Sequence, residues 1–184
     1  MENKKILIGV TGGIAAYKTC SLVNMFLKEG ADVKVIMTQG ATKFVTPLTF
    51  QSLTNHPVYL DMWQTYNKEE VEHISLAKWA DIMIISPATA NIIGKIANGM
   101  ADNLLSTVVM ALPKETDVLI VPAMNTCMWE NPIMQKNIET LAGYKKYKFI
   151  DPRKGILACR DEGSGKIADN QVILDEAKKI LAKK

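Results

Sequence analysis

Two periodicities alternate along this chain. Short runs rich in Ile, Val and Leu are separated by longer stretches in which apolar residues return every three or four positions. The short runs, at Lys5–Val10, Val33–Met37, Ile82–Ser86, Val118–Val121 and Lys148–Ile150, have the length and continuous apolarity of strands covered on both faces. The longer stretches predict helices over Ile14–Glu29, a short piece after Pro47, then Ser75–Ala80, Asn91–Asn98, Asn103–Ala111, Pro132–Ala142 and Gln171–Ala182. Gly30 and Gly143 stand where helix C-termini are expected, and Asp169 or Asn170 can cap the last helix. Strand and helix in alternation build parallel βαβ units. The expected fold is α/β: a single-domain Rossmann-like (flavodoxin-like) open parallel sheet with helices on both faces, spanning residues 1–184. No repeat, low-complexity segment or second domain is expected.

Composition narrows the picture further. A chain of 184 residues buries a real core without disulfide or metal staples. Its three cysteines, Cys20, Cys127 and Cys159, leave one unpaired in any disulfide scheme, and none has zinc-knuckle spacing. A reducing cytoplasm is the expected location. The amino-terminal residues lack the apolar stretch of a signal peptide, and no later run reaches the roughly 18 residues of a membrane span. The net charge of +3 is mild and the lysines are scattered, which gives no basis for nucleic-acid binding.

The candidate chemistry lies at the strand ends. The segment Val121-Pro122-Ala123-Met124-Asn125-Thr126-Cys127-Met128-Trp129 joins a buried strand to a helix that Pro132 can open. Open α/β sheets place ligands beyond such strand ends. Large apolar side chains in a connector need something to pack against, which is either a ligand or the core. The first strand runs into Thr11-Gly12-Gly13-Ile14, a turn whose amides can approach an anion at a helix start. It matches neither G-x-G-x-x-G nor a P-loop, so neither a dinucleotide nor a triphosphate is indicated. Thr38 to Thr42 and Ser86 to Asn91 add two more strand ends of small and polar residues. All three converge on one edge, suiting a mononucleotide's phosphate and ribityl chain, while Ala101-Asp102-Asn103 offers polar groups for a ring edge.

At these residues the chain resembles a known family. Thr11 to Ala16, His73 to Asp81, Pro87 to Asn91, Gly94 to Leu105 and Pro122 to Trp129 are similar, in order and over essentially the whole chain, to the homo-oligomeric flavin-containing cysteine decarboxylases. The resemblance is strongest to members that act on 4′-phosphopantothenoylcysteine in coenzyme A biosynthesis, and at 184 residues to their stand-alone form rather than to fusions with a synthetase domain. It implies FMN as cofactor, a homo-oligomer (a trimer, or a dodecamer of trimers) and an explanation for redox chemistry in a net non-redox reaction. The carboxylate of an N-acylcysteine has no adjacent electron sink. Oxidation of CH2–SH to a thioaldehyde places C=S β to the carboxylate, loss of carbon dioxide gives an enethiolate, and return of the hydride gives the saturated thiol, 4′-phosphopantetheine.

Residue roles follow from the same resemblance. His73 is the active-site histidine, and Asn125 is the amide that binds the substrate carboxylate without adding a charge that opposes decarboxylation. Cys159, in the glycine-rich stretch 155–166, is the proton donor to the enethiolate. Gly12, Gly13, Ile14, Thr38, Phe44 and Ser86 are expected at the flavin. So are Thr89, Ala90, Asn91 and Ile92, then Ala101, Asp102 and Asn103, and finally Ala123 and Met124. Ile156, Leu157, Ala158 and Arg160 are expected at the substrate, on a mobile flap over about 153–166. Arg160 departs from the family, which usually has Gly after the cysteine; it bears on flap geometry or on a substrate phosphate. Cys127 is the rival thiol, and Cys20, in phase with Val23 and Leu27, is read as core. Peptidyl-cysteine decarboxylases of lantibiotic maturation share the histidine and the P-x-M-N-x-x-M-W pattern but lack the Ala-Cys pair. Flavin prenyltransferases differ in the first loop and lack the Asn125 segment. Phosphatase-inhibiting relatives carry acidic extensions that this sequence does not show.

Overall fold

The computed structural model describes residues 1–64, 71–156, 160 and 162–183. Its frame is a sheet of six strands: β1 (Lys5–Val10), β2 (Asp32–Met37), β3 (Val58–Tyr59), β4 (Ile82–Ala88), β5 (Asp117–Pro122) and β6 (Tyr147–Phe149). The spatial order is β3-β2-β1-β4-β5-β6 and every pairing is parallel. This is the doubly wound order 3-2-1-4-5-6; the two-residue edge strand β3 is what extends it beyond the flavodoxin pattern. The order reverses between β1 and β4, so a crevice opens beyond their carboxyl ends.

Eight helices complete the fold among the described residues: α1 (Ala16–Lys28), α2 (Pro47–Thr54), α3 (Glu72–Trp79), α4 (Ala90–Ala97), α5 (Leu104–Ala111), α6 (Thr126–Trp129), α7 (Pro132–Ala142) and α8 (Asn170–Leu181). Because strand side chains alternate in direction, each central strand feeds two cores. Ile6, Ile8 and Val10 of β1 pack with Leu22 and Phe26 of α1 and Ile173 and Ala177 of α8. Leu7, on the opposite face, joins Met83 and Ile85 of β4 with Ile93 of α4 and Leu105 and Val108 of α5. Burial on both faces explains the uninterrupted apolar runs, and all seven residues of β4 are buried.

Gly30 ends α1 as expected. At φ 79° its N–H donates to Leu27 O while that of Ala31 donates to Phe26 O, the paired bonds of a Schellman motif. Gly143 caps α7 in a right-handed conformation. Boundaries shift by a few residues elsewhere. α1 starts at Ala16 rather than Ile14 because the Gly12–Ala15 turn precedes it, and α3 starts at Glu72 rather than Ser75. The largest correction concerns 153–166, where β7 (Arg153–Ile156) and β8 (Glu162–Lys166) pair as an antiparallel ribbon instead of a glycine-rich loop. Its glycines serve close packing: a Cβ on Gly163 would lie 2.3 Å from Thr126 Oγ1, and one on Gly165 2.2 Å from the Met124 carbonyl oxygen.

Candidate active site

The loops at the switch point are sewn together by buried hydroxyls. Thr11 Oγ1 donates to the Pro87 carbonyl at 2.7 Å and accepts from the Thr89 N–H at 3.1 Å. Thr19 Oγ1, on α1, donates to the Ser86 carbonyl at 2.8 Å. Gly12 packs directly on Gly40, where an added Cβ would come within 2.8 Å of backbone, so the ends of β1 and β2 touch without a side chain between them. The turn that leads into α1 is thereby fixed to the strands on either side.

A cavity of about 620 Å3 opens beside this turn. One wall is Gly12, Gly13, Ile14 and Ala15, continued by Tyr17 and Lys18 of α1. Thr89 and Ala90, at the start of α4, form the next. Ala123, Met124, Asn125 and Met128 form the third, and Ile156, Gly165, Lys166 and Ile167 close the fourth from the ribbon and the residue after it. Asn125 caps α6, its Oδ1 accepting from the Cys127 N–H at 2.8 Å, and Thr89 Oγ1 accepts from the Ile92 N–H. The first turn of α1 has neither a side-chain cap nor an acidic residue, so no side chain offsets the positive end of its dipole, while its Ala16 and Lys18 N–H groups donate to Gly13 O and Ala15 O. Amides for a phosphate, a hydroxyl for a sugar chain and apolar Ala123, Met124 and Met128 for a ring system fit a flavin mononucleotide.

Nine sequence-selected residues thus meet at one cavity: Gly12, Gly13 and Ile14, then Thr89 and Ala90, then Ala123, Met124 and Asn125, and Ile156. Others do not line it. Thr38 lies behind Gly12, its Oγ1 accepting from the Ala41 N–H, and Ser86 is wholly buried with Oγ lacking a hydrogen-bond partner. Asn91 is exposed and Ile92 is core. Phe44 is 49% exposed at the end of the short 3-10 turn after β2. Asn103 caps α5, and Asp102 pairs with Lys95 at 2.5 Å, which holds its carboxyl below the ordinary range. His73 sits half-buried on α3, which packs on α5. Leu157, Ala158 and Cys159 lie outside the described residues. Burial pushes the Cys20 thiol up, in keeping with a core position, and Cys127 is exposed.

Tyr17, Lys18, Met128 and Ile167 are not among the site residues expected from sequence, and Gly165 and Lys166 enter that expectation only as the end of the flap over 153–166. Helical phase from Ile14 would have found Lys18 one turn on. Nothing local signals Gly165 to Ile167, because their position depends on β8 docking against the Asn125 turn, where the Met124 N–H donates to Gly165 O at 3.0 Å.

Arg160 adopts φ 70°, the left-handed region that favours glycine. Arg160→Gly should therefore raise stability by about 0.5–1 kcal/mol in chemical denaturation. An unchanged or lower midpoint would show that the arginine makes compensating contacts.

The family model described as Flavoprotein matches residues 1–182. The chain is 45% identical over 183 residues to the coenzyme A biosynthesis bifunctional protein CoaBC of Bacillus subtilis, covering 99% of this chain and 44% of that one. It therefore spans less than half the length of that relative. It is 44% identical over 178 residues to the probable phosphopantothenoylcysteine decarboxylase of Streptococcus mutans, covering 97% of this chain and 99% of that protein. Among solved structures, a cysteine-to-serine mutant of PPC decarboxylase complexed with pantothenoylaminoethenethiol superposes with TM-score 0.85 at 33% identity, over 96% of this chain and 97% of that one. The FMN-binding protein AtHal3 superposes with TM-score 0.85 at 32% identity, over 100% and 99%.

Proposed function

The chain belongs to the flavoprotein family, and on that premise we propose that it binds FMN and decarboxylates 4′-phosphopantothenoylcysteine to 4′-phosphopantetheine in coenzyme A biosynthesis. The observation that carries the reading is the meeting of the Gly12–Ala15 turn with the Ala123–Met128 segment around one cavity. Similarity over nearly the full length to a relative named for this reaction supports it.

The Gly12–Ala15 turn and the start of α1 would hold the cofactor phosphate, with Lys18 of the first turn adding charge, and Ala123 and Met124 would face its ring. When bound, FMN would supply the hydride acceptor and donor that lets a C=S group form β to the departing carboxylate and be reduced after its loss. Asn125 orients the substrate carboxylate. Capping engages its Oδ1 with the Cys127 N–H and so fixes the orientation of the amide, and an amide N–H is the donor that a carboxylate requires. Cys159 protonates the enethiolate carbon, and residues 153–166 act as a flap on a single domain. His73 does not line the cavity of its own chain, so we assign it to the site of a second copy, in a homotrimer or a dodecamer of trimers. There it handles the thiol proton or holds the carboxylate. A reducing cytoplasm is the compartment that fits its thiol chemistry. No helix among the described residues is long and apolar enough to cross a membrane.

Purified protein is expected to release FMN on heating, and incubation with 4′-phosphopantothenoylcysteine should yield a product lighter by carbon dioxide alone. A product lighter by carbon dioxide and two hydrogens would assign the peptidyl-cysteine type of reaction instead. Protein that retains no flavin after reconstitution with excess FMN would overturn the reading.

A further inference from the structure

Lys166 is a half-buried cation facing the cavity from β8, and among the described residues it has neither a carboxylate partner nor a side-chain hydrogen bond. Its position is not that of a swinging surface lysine. The residue before it, Gly165, is pinned at φ 131° against Met124, whose N–H donates to Gly165 O at 3.0 Å. Across the ribbon, Gly155 has no side chain, and a Cβ there would lie 3.6 Å from Lys166 Cδ and 3.7 Å from its Nζ. The lysine is therefore held against the cavity wall, partly removed from water, with no countercharge among the described residues. A partly desolvated charge without a partner is unfavourable, and a ligand anion is what offsets it.

The reading above requires two phosphates in or beside this cavity. The turn before α1 and Lys18 form one wall of it and take the cofactor's. We infer that Lys166 takes the terminal phosphate of the substrate, which makes it the residue that discriminates the phosphorylated compound from its dephosphorylated analogue. The inference rests on the proposed decarboxylase reading. Of the other cations in this region, Arg153 pairs with Asp169, and none of Arg153, Lys154 and Arg160 lines the cavity.

The test compares FMN-loaded wild type with Lys166→Ala and Lys166→Arg, using 4′-phosphopantothenoylcysteine and pantothenoylcysteine in parallel. In Lys166→Ala the ratio of kcat/KM between the two compounds should fall about 10- to 100-fold, the size of one charge-assisted contact, with the loss carried by KM for the phosphorylated substrate. Lys166→Arg should restore most of it. Calorimetry should show the same loss in affinity for 4′-phosphopantetheine and little change for pantetheine. Equal losses for both compounds, or loss of FMN from Lys166→Ala, would overturn the inference while leaving the decarboxylase reading intact. A wild type that turns over neither compound would overturn both.

Discussion

Gly165→Ala is expected to cost about 2–4 kcal/mol, a drop of roughly 5–15 °C in Tm for a chain of this size, and to abolish activity. The added methyl carbon would land 2.2 Å from the Met124 carbonyl oxygen and 3.2 Å from its carbon, at a backbone angle of φ 131° that L side chains rarely adopt. Neither conflict has a flexible side chain to absorb it. Relief requires β8 to lift away, which breaks the 3.0 Å bond from Met124 and moves the turn that presents Asn125. Thermal unfolding followed by flavin release measures both consequences. Gly13→Ala is the matched control for stability, because its Cβ would meet only Thr89 Cγ2 at 3.8 Å. Equal Tm values for the two variants would show that the ribbon is not anchored through Gly165.

This contact also marks the boundary between what the sequence discloses and what it hides. β1, β4 and β5 are legible because burial on both faces leaves them uninterrupted apolar runs. The Gly12–Gly13 turn and the Ala123–Met128 segment are legible because their composition suits no ordinary connector. β3 is two residues long and α6 is four residues with none buried, so neither generates a period. β7 is mostly exposed and β8 mostly half-buried, neither shows the alternation of a core strand, and β8 is pinned by partners some 40 positions earlier in the chain. Gly163 and Gly165 belong to a stretch whose composition suggests a mobile loop, and close approach to Thr126 and Met124 also requires glycine at both. Sequence shows where a glycine is, and only tertiary contact shows which of its two properties is in use. The same limit applies to Lys166, whose neighbours in sequence say nothing of the cavity it faces. It applies also to Thr38 and Ser86, which support the cavity from behind rather than line it.

Substitution of Cys159 separates the two halves of the proposed reaction. Oxidation of the substrate and loss of carbon dioxide need no proton from this thiol, so Cys159→Ser should complete both. Protonation of the enethiolate carbon does need it, and a serine hydroxyl is far less acidic than a thiol. The variant should therefore stop at an aminoenethiol two hydrogens lighter than the normal product, with the oxidised-flavin absorbance lost and not regained. His73→Ala should fail earlier, because the thiol proton and the carboxylate must be managed before any hydride leaves the substrate. Anaerobic stopped-flow absorbance, with mass analysis of the quenched mixture, distinguishes the cases: rapid bleaching in Cys159→Ser against none in His73→Ala. Cys127 provides the internal alternative, exposed and four residues beyond Ala123 at the cavity wall. Full turnover by Cys159→Ser together with stalling by Cys127→Ser would transfer the proton-donor role to Cys127. The ribbon would then be left with substrate recognition alone.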